Sequence, residues 1–149
     1  MTIEQHMLSN HDALLNLNQQ LFPDSILHEE DLAYRSFLNN HNHQCFIAKE
    51  QSNSIGFVHV SLRYDYVEGS DESPTAYLEA IYVSPENRGT GVATLLLAHA
   101  EAWALERGCT VLASDTELNN ASGIQFHQSH GFKEANRIIC YTKKLDTQS

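Results

Sequence analysis

Between Arg88 and Ala93 the chain reads Arg-Gly-Thr-Gly-Val-Ala, a segment built to approach an anion. Gly89 and Gly91 carry no Cβ, so the backbone there can come close to a ligand. A long amphipathic stretch follows, and the N–H groups and dipole at the start of a helix favour negative charge. Arg88 adds a permanent positive charge with a planar fork of donors. The pattern is neither Gly-x-Gly-x-x-Gly nor a P-loop, because the Lys-Ser/Thr that completes the latter is missing. Read alone, it specifies an anion at a helix N-terminus.

A second kind of chemistry lies just upstream. From Tyr64 to Asn87 there is no Lys or Arg, while Asp65, Glu68, Asp71, Glu72, Glu79 and Glu86 are acidic. Such a run is either solvated surface or a wall of carboxylates that collects a cationic, hydroxyl-rich amine. Tyr64, Tyr66 and Tyr77 add flat faces and hydroxyls suited to sugar rings. On the second reading Tyr66, Glu72, Tyr77 and Glu79 meet the substrate. The 9 histidines raise the question of metal. His41-x-His43 and His127-x-x-His130 lack convergent Cys ligands and match no zinc pattern, so none is expected.

The elements that must position these residues follow from periodicity. Leu14, Leu15, Leu17 and Leu21 repeat helically over Ser9 to Leu21, with Ser9 or Asn10 as the N-cap and Pro23 beyond the end. A second helix is expected from about Glu29 to Leu38. Strands follow at Cys45–Lys49 and Ser54–Tyr64 across a turn at Gln51-Ser52-Asn53. In the second, Val58, Val60, Leu62 and Tyr64 share one face by the period-two rule. The acidic loop leads into a strand over Thr75–Val83, which Ser84-Pro85-Glu86-Asn87 breaks. A long helix is expected over Thr90–Arg107, with Val92, Leu95, Leu96, His99, Ala100 and Trp103 on its inner face and Gly108 as its stop. Thr110–Ser114 reads as a short strand, Ala121–His130 as a helix ending at Gly131, and Ile138–Lys144 as a final strand. The pattern implies a mixed α/β sheet in one domain spanning residues 1–149.

Bulk properties narrow the function classes. The 149 residues, 42% of them hydrophobic, suffice for one core. No stretch approaches the roughly 20 apolar residues of a membrane span, and Met1-Thr2-Ile3-Glu4-Gln5-His6 lacks the character of a signal peptide. Cys45, Cys109 and Cys140 are odd in number and widely spaced, which points to reduced, buried thiols and a cytoplasmic location. A formal net charge of -10 argues against nucleic acid as a partner. The same acidity draws in cations, although it also serves solubility alone.

The turn fits Gln/Arg-x-x-Gly-x-Gly/Ala, with Arg88, Gly91 and Ala93 at its three defined positions. It thereby resembles the pyrophosphate-binding motif of the GNAT superfamily of acyl-CoA N-acyltransferases. Phe126-His127-Gln128-Ser129-His130-Gly131-Phe132 is similar to that superfamily's Phe-Tyr-x-x-x-Gly-Phe, with His127 in place of Tyr. Further stretches are narrower in distribution: Leu62 to Gly69, Ser73-Pro74, Tyr77 to Val83, and Ala113-Ser114-Asp115 followed by Asn119-Asn120. They resemble the bacterial aminoglycoside 6′-N-acetyltransferases.

The resemblance implies a GNAT fold, a mixed and mostly antiparallel central sheet flanked by helices, with splayed strands that bind acetyl-CoA. It implies direct transfer of the acetyl group to an amine, with no enzyme nucleophile. Ile81, Tyr82 and Val83 would bond the pantetheine as an added strand, with the N–H of Ile81 or a neighbour facing the thioester oxygen. Arg88, Gly89, Thr90, Gly91, Val92 and Ala93 would hold the pyrophosphate. Asn120 matches a polar position that contacts the cofactor, or is simply an N-cap. Glu79 becomes the candidate base, acting through water, or else a carboxylate paired with an Arg. Asp115 becomes a carboxylate that orients the reacting amine. His127 would protonate the CoA thiolate or pack against CoA, and histidine titrates near enough to neutrality for the former. A homodimer is implied as well. Two rivals share the cofactor grip: transfer to a polyamine or a protein N-terminus, and a non-catalytic acyl-CoA sensor.

Overall fold

The computed structural model describes residues 1–147. They fall into two units, Met1–Asp115 and the chain from Thr116 onward. In the first unit, runs of alternating and β-branched residues form the strands β1 (Thr2–Gln5), β2 (His43–Glu50), β3 (Asn53–Arg63), β4 (Thr75–Val83) and β5 (Leu112–Ala113). Helices α1 (His11–Leu21) and α2 (Leu27–Phe37) precede β2, and α3 (Val92–Glu106) lies between β4 and β5. The strands make one sheet in sequence order, antiparallel throughout except for the parallel β4–β5 pair. The second unit holds α4 (Ala121–Ser129).

Alternation gives each strand two working faces. One face of the sheet contributes Cys45, Ile47 and Phe57 to a core closed by Leu14, Leu15, Leu17 and Tyr34 from α1 and α2. Helix α3 packs on β2, β3 and β4 and buries Leu96, Leu97, Ala100 and Trp103. Its inner stripe runs through Leu97 and Ala104, while Leu95 turns to solvent at 36% exposure.

Four differences from the expectations have physical causes. Strand β1 escapes sequence patterning because Thr2, Glu4 and Gln5 give an edge strand that lacks an apolar period. Asn10 does not cap α1 through its side chain; its Oδ1 accepts the Met7 N–H at 2.7 Å and so caps the short 3₁₀ turn before it. The strand expected over Ile138–Lys144 does not form. A strand exists only through pairing, and no described strand pairs with this segment, where Ile138, Ile139 and Tyr141 are 73%, 77% and 85% exposed. Cys140 is therefore exposed, whereas Cys45 and Cys109 are buried as expected.

Beneath α1 and α2 the core is unexpectedly polar. The His6 and His11 rings bond at 2.9 Å, and His11 Nε2 meets Asp31 Oδ1 at 2.8 Å. His43 Nδ1 and His59 Nε2 also bond at 2.9 Å, and His59 lies edge-on to Tyr34. Burial holds His59 down to about 4, with the neighbouring His43 adding to the effect. Burial likewise holds His6 down to about 4, helped by His11.

These rings fold neutral, while the unfolded chain takes up protons below the ordinary histidine range. Their contribution is thus present above about pH 6.5 and lost as pH falls toward 4. Each unit of depression corresponds to about 1.4 kcal/mol. Thermal midpoints measured from pH 7.5 to 4.5 should fall steeply below pH 6.5, and His59→Asn should flatten that slope.

Candidate active site

Strands β4 and β5 pair only briefly. Ala76 faces Leu112 and Tyr77 faces Ala113, and there the ladder stops. From Leu78 to Val83 the outer edge of β4 has no strand partner among the described residues, while its inner edge stays bonded to β3 up to Val83. Burial follows the fork: Thr75 to Leu78 are buried, and Glu79 to Tyr82 are only half-buried. An unpaired sheet edge presents N–H and C=O groups that an extended ligand can satisfy. Ile81, Tyr82 and Val83 all lie on this stretch.

A β-bulge sits just past the fork. His59 pairs with Ala80 and Val60 with Leu78, which leaves Glu79 as an extra residue in β4. Such an insertion re-aims the side chains beyond it. Tyr77 and Glu79 consequently share the face of His59, Ser61 and Arg63. Ile81, two residues after Glu79, pairs with Val58 and points to the opposite face.

Glu79 is firmly held. Arg63 donates through Nε to Oε2 at 2.9 Å and through Nη2 to Oε1 at 2.7 Å, and Ser61 Oγ donates to Oε2 at 2.6 Å. Burial alone would raise the Glu79 carboxyl, but the bonds from Arg63 and Ser61 outweigh it and hold the group below the usual carboxylate range. The Arg63 guanidinium also lies 3.5 Å over the Tyr77 ring. The Tyr77 hydroxyl in turn donates to Asp115, two residues past the end of β5. Burial and this bond push the Tyr77 hydroxyl well above the ordinary phenol range. Glu79 on β4 and Asp115 just past β5 thus stand immediately beyond the point where the two strands part. Sequence reasoning allowed an Arg partner for Glu79 but singled out neither Arg63 nor Ser61. Their signal was the polar alternation His59-x-Ser61-x-Arg63, and Arg63 is the single Lys or Arg between Lys49 and Arg88.

Other expected substrate residues are engaged elsewhere. Glu72 accepts from the Thr110 N–H at 2.9 Å, the Thr110 hydroxyl at 2.8 Å and the Val111 N–H at 2.9 Å. These bonds tie the acidic loop to the start of β5 and hold the Glu72 carboxyl below its ordinary range. Tyr66 is 80% exposed, and its hydroxyl donates to Glu68.

At the end of β4 the backbone turns through Pro85–Asn87 into α3. Gly89 and Gly91 take φ of +78° and +88°, the left-handed region that side chains disfavour, and an added Cβ at either would meet nothing within 4 Å. The left-handed backbone therefore accounts for these glycines, and the space over the turn stays open. The first helical bond runs from Leu95 N–H to Gly91 C=O, which places the N–H groups of Val92 and Ala93 ahead of the ladder. Arg88 Nε donates to the Val83 carbonyl at 2.8 Å, anchoring an exposed guanidinium at the mouth of the turn. Thr90 Oγ1 donates to the Asn87 carbonyl at 2.7 Å.

Asn120 and His127 belong to the second unit. Asn120 Oδ1 accepts from the Gly123 N–H at 3.0 Å and caps α4. His127 Nδ1 lies 2.6 Å from the Gly123 carbonyl, which can only accept. Nδ1 therefore carries a proton, and Nε2 donates only when the ring is doubly protonated.

The acetyltransferase (GNAT) family model matches residues 11–132. An aminoglycoside N(6′)-acetyltransferase type 1 of Serratia marcescens is 37% identical over 137 residues, covering 91% of this chain and 94% of the relative. One of Salmonella typhimurium is 38% identical over 147 residues, covering 97% and 99%. Among solved structures, AAC(6′)-Iy in complex with the bisubstrate analogue CoA-S-monomethyl-acetylneamine superposes with a TM-score of 0.91. It is 36% identical, and the match covers 97% of this chain and 98% of that one. The apo structure of AAC(6′)-IG from Acinetobacter haemolyticus gives 0.92 at 32% identity, covering 98% and 100%.

Proposed function

This chain belongs to the acetyltransferase (GNAT) family, and from that premise we propose that it transfers the acetyl group of acetyl-CoA to the 6′-amino group of an aminoglycoside. The observation that carries the acceptor is the placement of Glu79 and Asp115 on either side of the β4–β5 fork, beside an unpaired strand edge. The relatives support the position of the amine, since their names specify 6′-acetylation of aminoglycosides. The family model runs from α1 through α4, which supports reading the chain as a single acetyltransferase domain.

On this reading the pantetheine lies along the open edge of β4 at Ile81, Tyr82 and Val83. A backbone N–H there faces the thioester oxygen and stabilises the charge that develops on it. The pyrophosphate sits on Gly89, Thr90, Gly91, Val92 and Ala93, with Arg88 beside it. The 6′-amine of the aminoglycoside arrives as an ammonium, and only its neutral form attacks. Glu79, clamped and ionised, is a weak proton acceptor and acts chiefly as counter-ion, so the proton leaves through water. Asp115, oriented by Tyr77, aims the amine at the carbonyl. The departing CoA thiolate takes up a proton as the C–S bond breaks. Tyr66 lines the approach across the acidic loop.

The chain also forms a homodimer on this reading. Ile138, Ile139, Tyr141 and Leu145 are 73–85% exposed in a segment without secondary structure, and a second copy would cover them. Light scattering should give twice the chain mass, and Ile139→Glu should shift it to one.

Thiol release from acetyl-CoA, measured with kanamycin, tobramycin, spermidine and a Ser-initiated peptide, tests the reaction. Kanamycin or tobramycin should be the best acceptor, with the product acetylated at the 6′-nitrogen by NMR. Asp115→Asn should lower kcat/KM by about a hundredfold, the span of a positioned polar group in a transition state. Turnover confined to spermidine or the peptide contradicts the acceptor assignment, and wild-type kinetics in Asp115→Asn contradicts the role of that residue.

A further inference from the structure

The segment between Lys49 and Arg88 holds a single Lys or Arg among many carboxylates, and that residue lies at the fork. We propose that Arg63 is a positioning residue for the acceptor. Its guanidinium holds both carboxylates of the fork, Glu79 directly and Asp115 through the Tyr77 ring and hydroxyl, in the arrangement that receives the ammonium. This rests on the reading of the fork as the acceptor site.

The geometry is cooperative. Ser61 lies opposite Tyr77 in register and Arg63 opposite Thr75, so the Arg63 side chain must run along β4 across the Tyr77 ring to reach Glu79. It does so with two parallel N–H donors on two carboxylate oxygens, the arrangement that a planar fork makes and an ammonium cannot. Stacking on Tyr77 at 3.5 Å fixes the ring whose hydroxyl donates to Asp115. The bulge is what makes this reach possible, because it holds Glu79 on the Arg63 face.

Glu79 is half-buried among groups that titrate or carry charge. Arg63 and His59 face it from β3, His43 from β2, Tyr34 from α2, and Tyr77 and Asp115 from β4 and the end of β5. Arg63 is the permanent cation of this set. With it, Glu79 stays ionised across the working range. Without it, burial favours the protonated form, which binds an ammonium poorly.

The test is kcat/KM for kanamycin from pH 4.5 to 8.5 in wild type, Arg63→Gln and Arg63→Lys, with the KM for acetyl-CoA and the thermal midpoint measured in parallel. Arg63→Gln should lower kcat/KM about tenfold at pH 8 and more at pH 5. Its acid limb should move up by about one unit, which is tenfold in the ionisation equilibrium. The KM for acetyl-CoA should stay at the wild-type value. Arg63→Lys keeps the charge but loses the fork of donors, so its acid limb should stay near wild type while kcat/KM remains low. A folded Arg63→Gln protein with unchanged kcat/KM, or a uniform loss with an undisplaced acid limb, overturns the inference alone. Absence of wild-type turnover with both kanamycin and tobramycin overturns the acceptor reading and the inference together.

Discussion

The structure of the site depends on where β4 stops pairing with β5. The two strands share a ladder only at Ala76–Leu112 and Tyr77–Ala113, and β4 continues alone on that side to Val83. A parallel pair that continued would close the edge and leave no room for a ligand. Stopping there costs unpaired backbone groups, which must be met by solvent or by a bound molecule. It also leaves Glu79 on β4 and Asp115 just past the end of β5, beyond the point where the strands part. The bulge at Glu79 refines this arrangement: the carboxylate faces Ser61 and Arg63, while Ile81 turns to the opposite face of the sheet.

The rest of the first unit holds that fork rigid. Strand β3 carries two functions on its two faces. Val58 and Val60 are buried on the side that α3 covers, while His59, Ser61 and Arg63 form a polar row on the other. The row continues into the ring cluster of Phe37, His43 and Tyr34, where Phe37 and His43 stack with centroids 4.0 Å apart. A polar core of this kind is costly unless every group is bonded. Here His11 meets Asp31, and the Tyr34 hydroxyl donates to Asn18. Glu72 plays a comparable part from the loop, supplying acceptors for three donors at the entrance to β5.

Local patterns were legible in the sequence; long-range partnerships were not. Strand β4 has the bounds its alternation predicts, and α3 and α4 start and stop within two residues of their expected ends. The two-glycine turn was legible because its signal, positive φ beside a helix start, is local. The bulge was not, since it exists only in the register between β3 and β4. The bonds that hold Glu72 were not legible either, since their donors lie 38 and 39 residues downstream and nothing nearby announces them. An Arg partner for Glu79 was legible as an alternative, but not that it is Arg63, which lies 16 residues away on another strand. The Ile138–Lys144 segment has the alternation of a strand, but a pattern cannot supply a neighbour to pair with.

The central claim is that the donor's pantetheine completes the open edge of β4. Amide hydrogen exchange, resolved by residue with and without acetyl-CoA, addresses it directly. The account predicts slowed exchange on binding for amides within Leu78–Val83 and at Val92 and Ala93, with little change in β1 and β2. Binding of acetyl-CoA without added protection along Leu78–Val83 would contradict it.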